Sequence, residues 1–281
     1  MGKLTLKQAA AWCGGWVDPK YEDIEFLGAN NDTRLIQPGQ LFIVLQGARD
    51  GHDFIPMAME KGAAAVLCSR KVGDYPAIIV ADPRTALGDI AREERKRIGF
   101  KAVGVTGSVG KSTTKEMVAT VLDGSFRIAK TPANHNNDIG MPMAILAMPE
   151  ETEIAVLEMG MNHFREISYL TGIAKPDLAV IINIGTMHIE HLGSMEGILQ
   201  AKLEILEGMP NNGKLILNGD DSLLWNLHKQ RALQPVYFGV HNAACVVKGS
   251  EVRLLEDSLQ FQVEYQQQTF GIELDREEHT V

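Results

Sequence analysis

The chain has 281 residues, 45% of them hydrophobic and 22% charged, with a formal net charge of −9. These are the proportions of a water-soluble globular protein with length for roughly two domains. The acidic balance, without a basic stripe or basic–aromatic interleaving, argues against a nucleic-acid partner, and no apolar run approaches the ~20 residues a membrane span needs.

In chain order, Met1–Gln8 is an amphipathic start and not a signal peptide. A helical pattern covers 5–13. Short apolar strands are expected at Leu41–Leu45, Ala63–Cys68 and Ala77–Val80, with a helix at 55–62 between them. Asp82-Pro83 has the form of an N-cap followed by proline at the first helical position, opening a helix through Arg97. Beyond it strand and helix alternate: strand Ala102–Thr106, helix 111–122, strand Ile154–Glu158, a segment at 162–173, strand Leu178–Ile184, a helix from Ser194 to about Met209, strand Lys214–Leu217 and helix 222–230. Near-continuous apolar strands separated by helices predict a parallel sheet covered on both faces. From about residue 235 the alternation of Ser258–Tyr265 predicts an antiparallel hairpin region, and the tail Glu277–Val281 offers no closing element. The expected fold class is therefore α/β: a small N-terminal α/β domain over 1–83, and a central phosphate-loop domain over 84–281 with a mainly parallel sheet. Cys13, Cys68 and Cys245 lack metal-ligand spacing and read as small buried residues, reduced in a cytoplasmic protein.

The densest chemistry lies at 102–116, where an apolar strand runs into Gly107-Ser108-Val109-Gly110-Lys111-Ser112-Thr113 and then a helix. That order suits a nucleotide-phosphate cradle. Glycines let backbone N–H groups face the phosphates, Lys111 reaches the β/γ-phosphates, and the Ser112 hydroxyl can ligate Mg²⁺. The strict phosphate-loop spacing would put glycine at 105, where this chain has Val105. That departure, with the lack of an Asn-Lys-x-Asp base-reading motif, argues against an ordinary GTPase or kinase. Ligands of open parallel sheets sit at the carboxyl ends of strands, where Glu158 and His188 also fall. With Ser112 and bound phosphates they compose a divalent-cation site. Read alone, Glu158 is equally a strand-end carboxylate at a helix N-terminus and His188 a loop histidine. Asn134, Asn136 and Asn137 either turn donors to a substrate or order a turn.

Taken together, Thr106–Glu116, Asn134–Pro142, Glu158–Asn162 and Asn183–Gly193, with Asp32-Thr33-Arg34, Gly39–Phe42, Asp50–Phe54 and Gly62–Ala65 in the N-terminal part, resemble the Mur ligases. These are ATP-dependent enzymes that add amino acids or peptides to the UDP-N-acetylmuramyl precursor of peptidoglycan. The match is best to the branch that joins D-alanyl-D-alanine to UDP-N-acetylmuramoyl-tripeptide. The resemblance implies a monomeric enzyme with those two compounds as partners, ATP and Mg²⁺ as cofactors, and an acyl phosphate on the path. It implies that Gly107, Ser108, Val109, Gly110, Lys111, Ser112 and Thr113 hold the nucleotide. Ser112 and Glu158 would hold one Mg²⁺ and His188 a second. Lys111, His188 and Lys202 would be catalytic, with Lys202 at the position where several relatives carry a carbamylated lysine. Thr33 and Arg34 would meet the UDP end, and Asn134 and Asn137 the substrate. Family members carry a third, C-terminal domain that supplies part of the ATP site; its absence here leads to the expectation of a truncated form that by itself binds nucleotide weakly at best and does not ligate. Alternatives are the sister ligase that adds the third residue of the peptide, and a non-catalytic module that binds nucleotide or the UDP precursor.

Overall fold

A computed structural model describes residues 3–230 and 232–275. The N-terminal part opens with the two-residue strand Leu4–Thr5, antiparallel to Glu25–Phe26. The helix Leu6–Cys13 follows at once because Thr5 forms a reciprocal capping box with Gln8, satisfying two otherwise orphaned N–H groups. A five-stranded sheet then has the order Trp16–Val17, Ala77–Ile79, Ala65–Cys68, Leu41–Ile43, Ala29–Asn30. It is parallel except at its Trp16–Val17 edge. The buried run Ala65–Cys68 sits near its middle, as expected of a strand covered on both faces.

The helix Pro83–Ile98 begins on Asp82, whose carboxylate accepts from the N–H groups of Arg84 and Thr85, and ends on left-handed Gly99. Its buried stripe, with Ala86, Leu87, Ile90 and Ala91, belongs to a core shared by both halves of the chain. The second sheet has nine strands among the described residues, in the order Gln268–Asp275, Ser258–Tyr265, Val247–Leu254, Val236–Gly239, Lys214–Asn218, Leu178–Ile181, Lys101–Thr106, Ile154–Glu158, Ile128–Lys130. All neighbours are parallel except the last three strands of the chain, which form an antiparallel meander. The α/β class, the mainly parallel sheet and the antiparallel end are as expected. The Glu277–Val281 tail lies outside the described residues.

Several boundaries differ from expectation. Between the 111–122 helix and the Ile154 strand, where the sequence pattern marked no element, Ile128–Lys130 is an edge strand and Gly140–Leu146 is a helix. All seven residues of that helix are buried, so it has no polar face and no amphipathic period to read. The Ser194–Met209 helix is α-helical only through Leu203 and continues as a 3₁₀ turn over Glu204–Gly208. There the Thr171 hydroxyl donates to the Ile205 carbonyl at 2.8 Å, taking an acceptor a regular helix would use. The 222–230 helix is α-helical only over Ser222–Trp225. The Leu178 strand stops at Ile181, because Ile184 turns its N–H to the Asp221 carboxylate at 2.7 Å.

Candidate functional site

The chain leaves the Lys101–Thr106 strand toward the Ile128–Lys130 edge and leaves its neighbour Leu178–Ile181 toward Lys214–Asn218 on the other side. The two carboxyl ends therefore open a crevice at a topological switch point, where open α/β sheets bind ligands. Gly107–Gly110 and Asn183–His188 fill its rim. Gly110 caps the helix Lys111–Asp123 with φ of 80°, a left-handed conformation that costs glycine nothing. The turn is held from across the crevice. The Asn183 side-chain oxygen accepts from the Ser108 and Val109 N–H groups, both at 3.0 Å, and its amide donates to the Val109 carbonyl at 3.0 Å. The Gly185 N–H donates to the Ser108 hydroxyl at 2.8 Å. Lys111 Nζ donates to the carbonyls of Gly107 and Ser108 at 3.0 and 3.2 Å. Burial lowers the Lys111 pKa, and the charge of Glu158 opposes that shift.

Glu158, 2% exposed, is the hub of the site. One carboxylate oxygen accepts from the Ser112 hydroxyl at 2.7 Å, the other from the Asn136 amide at 2.7 Å. The Glu158 N–H donates to the Thr131 hydroxyl at 3.0 Å. Beneath it lies Lys115, fully buried, with Nζ 4.0 Å from Glu158 and 2.8 Å from the Thr131 carbonyl. Lys115 and Asn183 are parts to which the sequence reading assigned no site role, and Asn136, read there as either a substrate donor or a turn residue, instead holds Glu158. Lys115 is one turn along the helix from Lys111, a spacing that puts both on one face, and that was its available signal.

Lys202 is 2% exposed and makes no hydrogen bond or ion pair among the described residues. Burial, then the nearby Lys111 charge, push its pKa down to about 7. Lys111 and Lys202 thus share one electrostatic environment. Among the described residues no three His, Cys, Asp or Glu side chains gather into a metal cage. A cavity of about 670 Å³ lies at the opposite, amino end of the strands. Its walls, including Val103, Met117, Val121, Val180 and Ile216, are apolar and unsuited to phosphates.

Comparison with known proteins agrees with this geometry. The family model described as Mur ligase middle domain matches residues 105–275, and that described as Mur ligase family, catalytic domain matches residues 23–95. The chain belongs to the Mur ligase family. This Mur ligase chain is 48% identical over 234 residues to a UDP-N-acetylmuramoyl-tripeptide–D-alanyl-D-alanine ligase of Bacillus subtilis, covering 81% of the chain and 51% of the relative. It is 41% identical over 224 residues to the ligase of that name from Escherichia coli, covering 79% and 49%. The chain spans about half the length of the curated relatives it matches. Among solved structures, MurF from Acinetobacter baumannii superposes with a TM-score of 0.88 at 30% identity, over 98% of this chain and 61% of that one. MurF from Thermotoga maritima in complex with ADP does so with a TM-score of 0.78 at 32% identity, over 89% and 58%.

The remaining candidate residues of this Mur ligase chain lie outside the Glu158 cluster. His188 starts the short helix Ile189–Leu192 with φ of 63°, and its ring makes no hydrogen bond among the described residues. Asn137 turns its side-chain oxygen back to the Ile139 and Gly140 N–H groups at 3.2 and 2.8 Å, capping the Gly140–Leu146 helix. Asn134 is exposed. In the N-terminal part Thr33 is buried, and its carbonyl accepts from Lys61 at 2.7 Å. Arg34, exposed, forks onto Asp32; that hydrogen-bonded pair holds the Asp32 carboxyl down to about 2. No helix of the described residues is long and apolar enough to cross a membrane.

Proposed function

We propose that this chain carries the precursor-binding and nucleotide-binding parts of an ATP-dependent amide ligase of peptidoglycan precursor synthesis. The ligase joins D-alanyl-D-alanine to UDP-N-acetylmuramoyl-tripeptide. The observation that carries the reading is the Ser112–Glu158 pair beside the Gly107–Lys111 turn at the switch point, in a chain 48% identical to a ligase of that name. Residues 1–83 take the UDP end, with Thr33 and Arg34 as contacts, and residues 84–281 take ATP.

The chemistry follows from charge placement. ATP phosphorylates the terminal carboxylate of the tripeptide, the dipeptide amine attacks the acyl phosphate, and phosphate leaves from a tetrahedral intermediate. The protein supplies positioning and charge neutralisation rather than a nucleophile. The N–H groups of Ser108, Val109, Gly110 and the start of the following helix receive phosphate oxygens, with Thr113 beside them. Lys111 exchanges its two backbone carbonyls for the β/γ-phosphates, a better partner for an ammonium. Ser112 and Glu158 would hold Mg²⁺: a hydroxyl and a carboxylate oxygen, already paired at 2.7 Å beside the phosphate turn, are the hard oxygen donors that Mg²⁺ takes together with phosphate. A site of two protein oxygens completed by phosphate and water needs no cage of carboxylates. Bound there, Mg²⁺ would neutralise charge on the transferring phosphoryl group. Asn136 keeps the Glu158 carboxylate turned to Ser112. His188 would hold a second Mg²⁺, Asn134 lines the substrate path, and Asn137 orders the loop beside it through its bonds to Ile139 and Gly140.

Lys202 is suited to carbamylation: an amine with its pKa pushed down to about 7 is substantially neutral at physiological pH. The neutral amine adds CO₂ with loss of one proton, leaving an anionic carbamate beside the Lys111 cation. A mass increase matching CO₂, lost on acidification, tests this; an unmodified amine under bicarbonate overturns it.

The function is tested by binding and turnover. ATP with Mg²⁺ should bind this chain and lose at least tenfold in affinity in Lys111→Ala. Phosphate release by the protein at the relatives' full length should require both the tripeptide precursor and D-alanyl-D-alanine. Release driven by a single amino acid with a dipeptide precursor would instead identify the sister ligase. Failure of the protein at the relatives' full length to bind nucleotide would overturn the reading.

A further inference from the structure

Two histidines that the proposed reaction does not use meet across two loops. His163 lies in the turn that follows the Ile154–Glu158 strand, and His191 in the short helix Ile189–Leu192. Their ring centres are 4.5 Å apart, with the planes tilted by 33°. Each turn is held by its own bonds. Glu166 accepts from the Asn162 and His163 N–H groups at 2.6 and 3.3 Å, and the His188 carbonyl accepts from the His191 N–H at 3.0 Å. Arg165 and His188 take left-handed φ angles of 72° and 63°, conformations that cost a non-glycine residue roughly 1–2 kcal/mol each. Two built turns therefore present the rings to each other, and both side chains stay open to solvent, at 60% and 43% exposure.

Each ring also has a carboxylate beside one nitrogen. His163 Nδ1 lies 3.3 Å from Glu166 Oε1, and His191 Nε2 lies 3.7 Å from Glu190 Oε1. In a neutral imidazole the nitrogen that faces a carboxylate carries the proton and the other keeps its lone pair. That leaves His163 Nε2 and His191 Nδ1 as acceptors, and neither has a hydrogen-bond partner among the described residues. Histidines that ligate metals have this arrangement, one nitrogen on the ion and the other held by a carboxylate. An imidazole nitrogen about 2.0–2.1 Å from an ion puts its ring centre about 3.2 Å away, so two rings at adjacent positions on one ion have centres about 4.5–5.2 Å apart. The observed 4.5 Å falls in that range. Imidazole suits zinc, copper and nickel, whereas Mg²⁺ takes oxygen ligands. No third His, Cys, Asp or Glu joins the pair among the described residues, so water would fill the remaining positions.

We propose that His163 Nε2 and His191 Nδ1 form a binding site for Zn²⁺, separate from the Ser112–Glu158 pair, with Glu166 and Glu190 holding the protons on the opposite ring nitrogens. The two histidines follow strands that flank Lys101–Thr106 on either side. A shared ion therefore clasps the turn after Glu158 to the turn that carries His188, across the strand that leads into the phosphate turn. The site needs no nucleotide and stands apart from the ligase reading.

The test titrates the chain with ZnCl₂ by calorimetry in excess Mg²⁺ and follows the histidine nitrogens by ¹⁵N NMR. One equivalent of Zn²⁺ is expected to bind, and to move His163 Nε2 and His191 Nδ1 while the opposite nitrogens keep their protons. His163→Ala and His191→Ala, each at a solvent-open position, should each lower the affinity about tenfold or more, since each removes one of two protein ligands. His228→Ala, which removes a histidine stacked on Trp225, should leave the affinity within twofold of the parent. Bound Zn²⁺ should also slow amide exchange in the 162–165 and 188–192 turns. No binding at millimolar Zn²⁺, binding that Mg²⁺ displaces, or an affinity within twofold of the parent in either His163→Ala or His191→Ala overturns the site.

Discussion

Replacing Lys115 by methionine is expected to destabilise the protein by about 3–5 kcal/mol, the cost of breaking a buried ion pair by removing one partner. Lys115 is fully buried and Glu158 2% exposed, with 4.0 Å between ammonium and carboxylate; the half-exposed Glu116 carboxylate lies 3.1 Å from the same ammonium, and the Glu158 arm of the cycle separates the two. At an effective dielectric of about 20 the Lys115–Glu158 attraction is about 4 kcal/mol before desolvation is subtracted. The lysine also donates to the carbonyls of Thr131 at 2.8 Å and Ala133 at 3.3 Å, and a buried acceptor left without a donor costs about 1–3 kcal/mol. Methionine keeps the aliphatic stem, so packing changes little and the loss reports the charge and its hydrogen bonds. For a chain of this size the melting temperature should fall by about 6–20 °C. Urea unfolding followed by circular dichroism measures it, with Glu158→Gln and the double variant completing a cycle. A coupling energy of about 1–3 kcal/mol is expected, since the two substitutions remove the same interaction. A Lys115→Met stability within 1 kcal/mol of the parent, or additive single effects, would refute the view that Lys115 carries the charge balance under Glu158.

Three further outcomes follow from the geometry. Lys202 has a folded-state pKa near 7 against 10.5 ordinarily, so the unfolded chain binds the extra proton between those pH values and stability rises with pH across that window. In CO₂-free buffer Lys202→Met should therefore be more stable than the parent by a few kcal/mol at pH 7, with the gap shrinking toward pH 10; a gap independent of pH contradicts this. Glu204 accepts from the Arg165 N–H at 2.7 Å and the Ser168 N–H at 3.1 Å, capping the Glu166–Ala174 helix from another segment. Glu204→Ala should cost about 1–2 kcal/mol in denaturant unfolding, and a loss under 0.3 kcal/mol would show the cap to be idle. Asn183→Ala removes three hydrogen bonds to the phosphate turn. It should loosen Ser108–Gly110 in amide exchange and weaken ATP binding about tenfold or more; unchanged protection of those amides would refute the anchoring role.

Much of the site was legible because its chemistry is local in sequence. Gly107 to Thr113 follow one another, and the strand before and helix after them announce themselves by period. Glu158 was legible as the last residue of an apolar strand. Lys115 and Asn136 were not, because their roles depend on what lies across from them. On sequence alone Lys115 is one of two lysines within five residues, and Asn136 one of three asparagines in a turn. Asn137 instead serves the Gly140–Leu146 helix, whose full burial removed the polar face that would have marked it.

By itself the sequence determined the α/β class, the parallel sheet, the phosphate turn and the family. Those properties reside in composition, periodicity and contiguous motifs, which need no partner to be read. Only the tertiary structure decided that Asn183 grips the turn, that Asn136 and not Asn137 reaches Glu158, that Lys115 and Lys202 lie buried, and that His163 meets His191. Each depends on segments brought together across the sheet or between its two halves, and the cost of burying a charge or a polar atom arises only once that packing has removed it from water.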